Sequence, residues 1–243
     1  MKILLFGRNG QVARKLYSLL LPLGEVIRCG SSEVDFQDTT KLKEYITHYK
    51  PDIIINAAAY TAVDNAESDS KTAFAVNTKA VKIIADAANE LGAWFVHYST
   101  DYVFDGTKKT SYTEEDKLTP ISVYGKSKAL ADEYIAANNN KYLIFRVSGV
   151  FDACGNNFPK TILSLAKTKD SLRIINDQVG APTSAGLIAE VTTLALYKII
   201  QSKNAKEFSG LYNLSCSGEA SWYKFATFLV KKAMMMGMEI TCL

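Results

Sequence analysis

Ile3-Leu4-Leu5-Phe6-Gly7-Arg8-Asn9-Gly10-Gln11-Val12-Ala13 is the stretch that decides the fold. A continuous apolar run directly after Lys2 reads as a strand buried on both faces. The glycines that follow have the spacing G-x-x-G-x-x-A and open a helical pattern from Gln11 to Leu21. Glycines let the backbone turn tightly and approach a pyrophosphate, whose charge rests on the helix N-terminus. Ala13 is small enough for the helix to pack closely on the strand. A glycine turn after a strand is by itself commonly only a turn, so the elements around it carry the argument.

Working outward, Pro22 and Gly24 end the first helix and Val26-Ile27-Arg28 begins a second strand. Lys41–Tyr49 is an amphipathic helix closed by Pro51, and 52–59 is a third buried strand ending in Asn56-Ala57-Ala58-Ala59. A long helical region covers 67–91, Trp94–Ser99 is the next strand, and 101–121 is rich in loop residues. A helix runs from Tyr124 to about Ala137, followed by the strand Tyr142–Val147. Strands alternating with helices at this spacing predict βαβ units and a parallel sheet. The right-handed crossover rule then makes the fold α/β, a doubly wound Rossmann-type sheet. Residues 1–150 form its dinucleotide-binding domain. Beyond 150 the pattern loosens: helices over 158–167, 185–198 and 221–236, and short strands at Leu172–Ile175 and Gly210–Leu214. We read 151–243 as a smaller, substrate-facing C-terminal lobe.

At 243 residues and 48% hydrophobic content, the chain can bury one substantial core. A net charge of +3, with no basic run longer than two residues, argues against nucleic acid and anionic membranes as partners. Cys29, Cys154, Cys216 and Cys242 are widely scattered, which predicts free thiols in a reducing, cytoplasmic setting. With only His48 and His97 available, no metal site is expected.

Chemistry concentrates at the carboxyl ends of the strands, where open α/β sheets bind ligands. The small side chains of Ala57, Ala58 and Ala59 leave room for a nucleotide. Arg28 and the serines after it stand where a basic residue accommodates a 2′-phosphate, which tilts the cofactor towards NADPH, with NADH the alternative. Ser99-Thr100-Asp101 ends the fourth strand, so a Thr100 hydroxyl can hold a substrate carbonyl. Tyr124 and Lys128 stand at i and i+4 on one helix face. An ammonium beside a phenol lowers the phenol's pKa and suits it to proton transfer near neutrality. Capping and turn roles for Thr100 and Asp101, and an exposed strand end for Arg28, are the purely structural alternatives.

Together these motifs resemble the extended short-chain dehydrogenase/reductases. The matching runs are Gly7-x-x-Gly10-Gln11-Val12, Asn56–Asp64, Ser99–Phe104, Tyr124–Lys128, Gly155–Phe158 and Ile175–Thr183. Within them the chain is most similar to the branch that reduces dTDP-4-dehydrorhamnose. That resemblance implies a hydride delivered to carbon 4 of a dTDP-sugar, with Tyr124, Lys128 and Thr100 as the catalytic set. It also implies a cofactor bound by Gly7, Gly10, Gln11 and Val12, by Asp35, Phe36, Ala58, Ala59 and Thr61, and by Tyr124 and Lys128. Thr100, Asp101, Tyr102, Gly149 and Asn157 would line the substrate side, and a homodimer is allowed.

Three departures accompany the resemblance. Gly149 stands where the family carries a tryptophan against the sugar. The chain stops at Leu243, short of a segment the family carries near its end. Lys15 replaces a glutamate used by some members at a metal-bridged dimer interface. Two alternatives therefore stay open: a non-catalytic, NADP-binding regulatory subunit like the beta subunit of methionine adenosyltransferase, and another nucleotide-sugar epimerase, dehydratase or reductase.

Overall fold

The computed structural model describes residues 1–242. The chain begins with β1 (Lys2–Phe6), α1 (Gln11–Leu20), β2 (Glu25–Cys29), α2 (Thr39–Tyr49) and β3 (Ile53–Asn56). Next come α3 (Val63–Ser68), α4 (Ser70–Phe74), α5 (Ala80–Leu91), β4 (Trp94–Thr100), α6 (Val123–Asn138), β5 (Tyr142–Val147) and β6 (Val150–Phe151). The remainder holds α7 (Phe158–Ala166), β7 (Val179–Gly180), β8 (Thr183–Ser184), α8 (Ala185–Gln201), β9 (Gly210–Leu214), β10 (Ala220–Ser221) and α9 (Trp222–Met235).

Six strands form one parallel sheet in the order β2-β1-β3-β4-β5-β9. Every residue of β3 and β4 is buried, as a sheet covered on both faces requires. Alternate side chains divide between two cores. Leu4, Phe6, Ile54, Phe95 and Ile144 meet α2, α5 and α6, while Ile3, Leu5, Ile55, Val96 and Phe145 meet α1 and α8. Each such side chain, fully buried, contributes about 1.5–3 kcal/mol. Because β2 and β3 flank β1 on opposite sides, the chain reverses its winding there and leaves a crevice beyond the carboxyl ends of β1 and β3.

The single helix expected over 67–91 is interrupted. Asp69 stops α3 and caps α4 by accepting from the Thr72 amide at 3.3 Å. A π-turn over Ala75–Lys79 then widens the helix and buries Asn77 and Thr78. The strand expected at Leu172–Ile175 does not form. Its residues find no partner edge, and the one cross-element backbone bond in the run goes from the Tyr223 amide to the Ile175 carbonyl at 3.0 Å. Of the stretch assigned to the smaller lobe, α8 and β9 lie with the main sheet, α8 against α1 and β9 against β5. The remaining segments, including α7 and α9, pack on each other at the carboxyl side of the sheet. All four cysteines are free. No helix among the described residues is long and apolar enough to cross a membrane.

Candidate active site

The crevice is built first from backbone. Gly7 has φ +92°, and a Cβ there would stand 2.6 Å from the Ala57 carbonyl oxygen, so no other residue fits the turn. The Gly10 amide donates to the Gly7 carbonyl at 2.7 Å, and no side chain caps α1. The first amides of that helix therefore face the crevice free for an anion. Beside them lies a cavity of about 200 Å³ lined by Gly7, Gly30, Ser31, Asp35, Phe36, Ala58 and Ala59, with Cys29, Val34 and Val76. Gly7, Asp35, Phe36, Ala58 and Ala59, five of the expected nucleotide residues, thus share one wall. Thr61 lies exposed further along the same loop, and Val12 turns into the lower core. Small residues, free amides and a glycine that leaves no room for a side chain fit the pyrophosphate and adenosine of a dinucleotide.

Arg28 is not brought to this cavity. Its guanidinium lies 4.5 Å from the centre of the Tyr17 ring and donates to the Arg8 carbonyl at 3.0 Å. Arg8 lies nearer, its side chain passing beside Gly30, one of the lining residues. It pairs with Glu33 at 2.6 Å, and Glu33 in turn accepts from the Gly30 amide at 2.7 Å.

At the other end of the crevice α6 presents Tyr124. Ser122 caps this helix by accepting from the Gly125 amide at 3.0 Å. A Cβ at Gly125 would collide with the Tyr102 carbonyl oxygen, so the glycine lets α6 approach the loop after β4. The buried Asn77 ties this helix to the nucleotide loop: its amide donates to the Tyr60 carbonyl and to the Ser127 hydroxyl, each at 3.0 Å. Tyr102 lies edge-on to Tyr124 with ring centres 5.8 Å apart. Burial holds the Tyr124 phenol above its ordinary range; the Thr100 hydroxyl pulls the other way, and the Asp101 charge adds to the rise. The phenol of the free chain therefore keeps its proton through the neutral range.

The Tyr-Lys spacing predicts that Lys128 lowers that pKa. Instead Lys128 is turned inward, and its Nζ donates to the Tyr98 carbonyl at 2.7 Å and lies 2.9 Å from His97 Nε2. It is 1% exposed, and burial lowers its pKa to about 8. Next to it Asp132 pairs with Arg146 at 3.1 Å and accepts from the Ser99 hydroxyl at 2.8 Å.

On the substrate side Asp101 is engaged from two directions. Thr100 donates to one carboxylate oxygen at 3.1 Å and Ser148 to the other at 2.6 Å, which ties the end of β4 to the turn after β5. Asn157 caps α7 and donates to Gln11 Oε1 at 2.8 Å and to the Asp152 carbonyl at 2.7 Å. It thus clamps the glycine turn, with Lys15–Asp152 at 3.1 Å alongside. Gly149 has φ +52°, and a Cβ there would meet Pro182 Cα at 3.2 Å and the Trp222 ring at 3.7 Å. Trp222 belongs to an aromatic group with Phe158 and Phe225, its ring centre 4.5 Å from that of Phe158. Ser148, His97, Asp132 and Arg146 escape the motif reading. For His97, Arg146 and Ser148 the one signal is a polar side chain inside or next to an otherwise apolar strand; Asp132, in the middle of α6, gives none.

A dinucleotide crevice in a doubly wound sheet, with a Thr, a Tyr and a Lys at its far end, defines an extended short-chain dehydrogenase/reductase. The model of the family described as RmlD substrate binding domain matches residues 1–243, and the chain belongs to that family. It is 43% identical to the dTDP-4-dehydrorhamnose reductase of Salmonella typhimurium, over 99% of this chain and 81% of that protein. A crystal structure of a dTDP-4-dehydrorhamnose reductase from Clostridium acetobutylicum superposes with a TM-score of 0.90 at 36% identity, covering 100% of this chain and 83% of that one. A Bacillus anthracis dTDP-4-dehydrorhamnose reductase in complex with NADP gives a TM-score of 0.87 at 30% identity, with the same two coverages.

Proposed function

We propose that this chain reduces the 4-keto group of dTDP-4-dehydro-L-rhamnose to give dTDP-L-rhamnose, using NADPH. The observation that carries this reading is a half-buried Tyr124 phenol next to Thr100, its pKa held above the ordinary range, at the end of a crevice whose other end suits a dinucleotide. When bound, the nicotinamide supplies the hydride.

The rest falls to this chain's own residues. Gly7, Gly10, Gln11 and Val12 hold the pyrophosphate, while Asp35, Phe36, Ala58, Ala59 and Thr61 surround the adenosine half. Tyr124 donates its phenolic proton to the sugar oxygen as negative charge develops there. Thr100 turns its hydroxyl from Asp101 to the same oxygen and stabilises that charge. Lys128 holds the nicotinamide ribose and, once charged, lowers the Tyr124 pKa. Asp101 orients Thr100, and Tyr102 covers the phenol. The four free thiols support a reducing, cytoplasmic setting.

The test is NADPH oxidation with dTDP-4-dehydro-L-rhamnose, compared between the natural chain and Tyr124→Phe. The expected result is a loss of about 10²- to 10⁴-fold in kcat with cofactor binding preserved. Full turnover by Tyr124→Phe would remove the proton-donor role, and no turnover by the natural chain would remove the activity.

A further inference from the structure

Behind Tyr124, four buried or half-buried groups form a chain of hydrogen bonds that has a direction. The Ala58 amide donates to Asn56 Oδ1 at 3.1 Å, which fixes the carboxamide with its Nδ2 facing His97 Nδ1 at 3.3 Å. Nδ2 has only protons to offer, so Nδ1 accepts and the single proton of the neutral ring lies on Nε2. Nε2 stands 2.9 Å from Lys128 Nζ, which also donates to the Tyr98 carbonyl. An amine has a lone pair for that Nε2–H, whereas an ammonium has none. Only the neutral lysine satisfies every contact. The ammonium leaves two donors facing each other somewhere along the chain.

The surrounding carboxylates are engaged elsewhere. Asp132, one turn along α6 from Lys128, binds Arg146 and Ser99 through Oδ2; its charge favours the ammonium, but burial outweighs it. Asp101 is taken by Thr100 and Ser148. Among the described residues Lys128 has no carboxylate within 4.0 Å, so a charge on it adds to a cluster in which Asp132 and Arg146 already balance. Burial lowers the pKa of both His97 and Lys128, in keeping with two neutral partners.

We propose that Asn56 and His97 set the charge of Lys128: at alkaline pH, with Nζ against His97, the lysine rests as a neutral amine, and it takes up a proton on leaving that contact. His97 is then a positioning residue, acting on the reaction only through Lys128. One consequence rests on the proposed function, in which Lys128 turns to the ribose. Cofactor binding at alkaline pH is then coupled to proton uptake.

The primary test uses the free chain. His48→Gln leaves His97 as the one histidine, so its ¹⁵N imidazole signals report the tautomer directly. The Lys128 Nζ signal is assigned by its loss in Lys128→Met. The expected result at about pH 9 is the Nε2–H tautomer, with Lys128 titrating about 100-fold more acidic than an ordinary lysine. An Nδ1–H tautomer, or a Lys128 titrating in the ordinary lysine range, overturns the proposal.

Asn56→Asp supplies an acceptor opposite Nδ1. It is expected to move the ring proton to Nδ1 and make Lys128 about tenfold or more easier to protonate. Should that variant not fold, His97→Gln offers Nζ an acceptor and is expected to shift the same titration in the same direction. An unmoved Lys128 titration in the folded variant overturns the proposal. Failure of NADP to bind would instead remove the ribose contact and leave the tautomer result standing.

Discussion

Asn157 donates to Gln11 at 2.8 Å, joining residues 146 positions apart and locking the loop before α7 onto the glycine turn. The same amide nitrogen donates to the Asp152 carbonyl, and its side-chain oxygen caps α7. The side chain expected to touch substrate is therefore fully used in holding the cofactor end together. Asn157→Ala removes the clamp and the cap at once. We expect a loss of about 1–2 kcal/mol of stability and a several-fold weaker dinucleotide affinity. Thermal unfolding and calorimetry would read the two effects, and an unchanged affinity would show that Gln11 needs no clamp.

The cation at the adenosine end is Arg8. Its guanidinium is held by Glu33 and the Arg28 carbonyl at 2.6 and 2.7 Å, and its side chain passes beside Gly30, which lines the cavity. Arg28 stacks on Tyr17 on the far side of the turn. A 2′-phosphate that displaces Glu33 would gain a charge-assisted contact of about 1.5–3 kcal/mol. Arg8→Ala is therefore expected to raise KM for NADPH about tenfold more than KM for NADH. Arg28→Ala is expected to leave the ratio near that of the natural chain. The opposite ranking, measured by steady-state kinetics with both cofactors, would return the role to Arg28.

These two arginines show where sequence reading stops. Gly7 and Gly10 are legible because their roles are backbone roles, fixed by local spacing. The strands β1, β3 and β4 are legible because burial on both faces leaves an unbroken apolar run. Tyr124 and Lys128 are legible as a pair, yet the direction of the Lys128 side chain is set by His97 and Tyr98 from β4. Arg28 has a long side chain, and its strand-end position says nothing about which way that chain folds back. The apolar run at 172–175 has strand composition, but a strand needs a partner edge, and none is offered there. Asp132 and Arg146 look like an ordinary surface acid and strand-end base until the packing places them together.

Gly149 is a backbone position before it is a gap in a wall. With φ +52° and Pro182 Cα 3.2 Å from a built Cβ, any side chain is both strained and crowded. Gly149→Ala is expected to cost about 1–2 kcal/mol, and Gly149→Trp more, since the ring must also pass Trp222. Introducing the tryptophan that the family resemblance calls for would then lower the melting temperature and fail to tighten sugar binding. A Gly149→Trp variant with an unchanged melting temperature and a lower KM for the sugar nucleotide would show that Gly149 marks only a missing sugar contact.

Lys128 also makes stability depend on pH in a direction that can be checked. Its pKa is about 8 in the folded chain against 10.5 ordinarily, a difference of about 3 kcal/mol for a fully buried group. Between those values the unfolded chain binds more protons on this group, so its contribution to stability rises with pH. Below about pH 8 the cost of burying it is fully present, and above about 10.5 it is gone. Lys128→Met removes that cost but leaves the Tyr98 carbonyl and His97 without a partner, a loss of about 1–3 kcal/mol that does not vary with pH over this window. The stability of Lys128→Met relative to the natural chain is therefore expected to fall by about 3 kcal/mol from pH 7 to 10.5. Comparing the two chains also cancels the opposite trend of Tyr98 and Tyr124, whose raised pKa values destabilise both at high pH. Denaturant unfolding across that range would measure the difference. A flat difference would mean that Lys128 titrates alike in the folded and unfolded chain, and that burial costs its charge nothing.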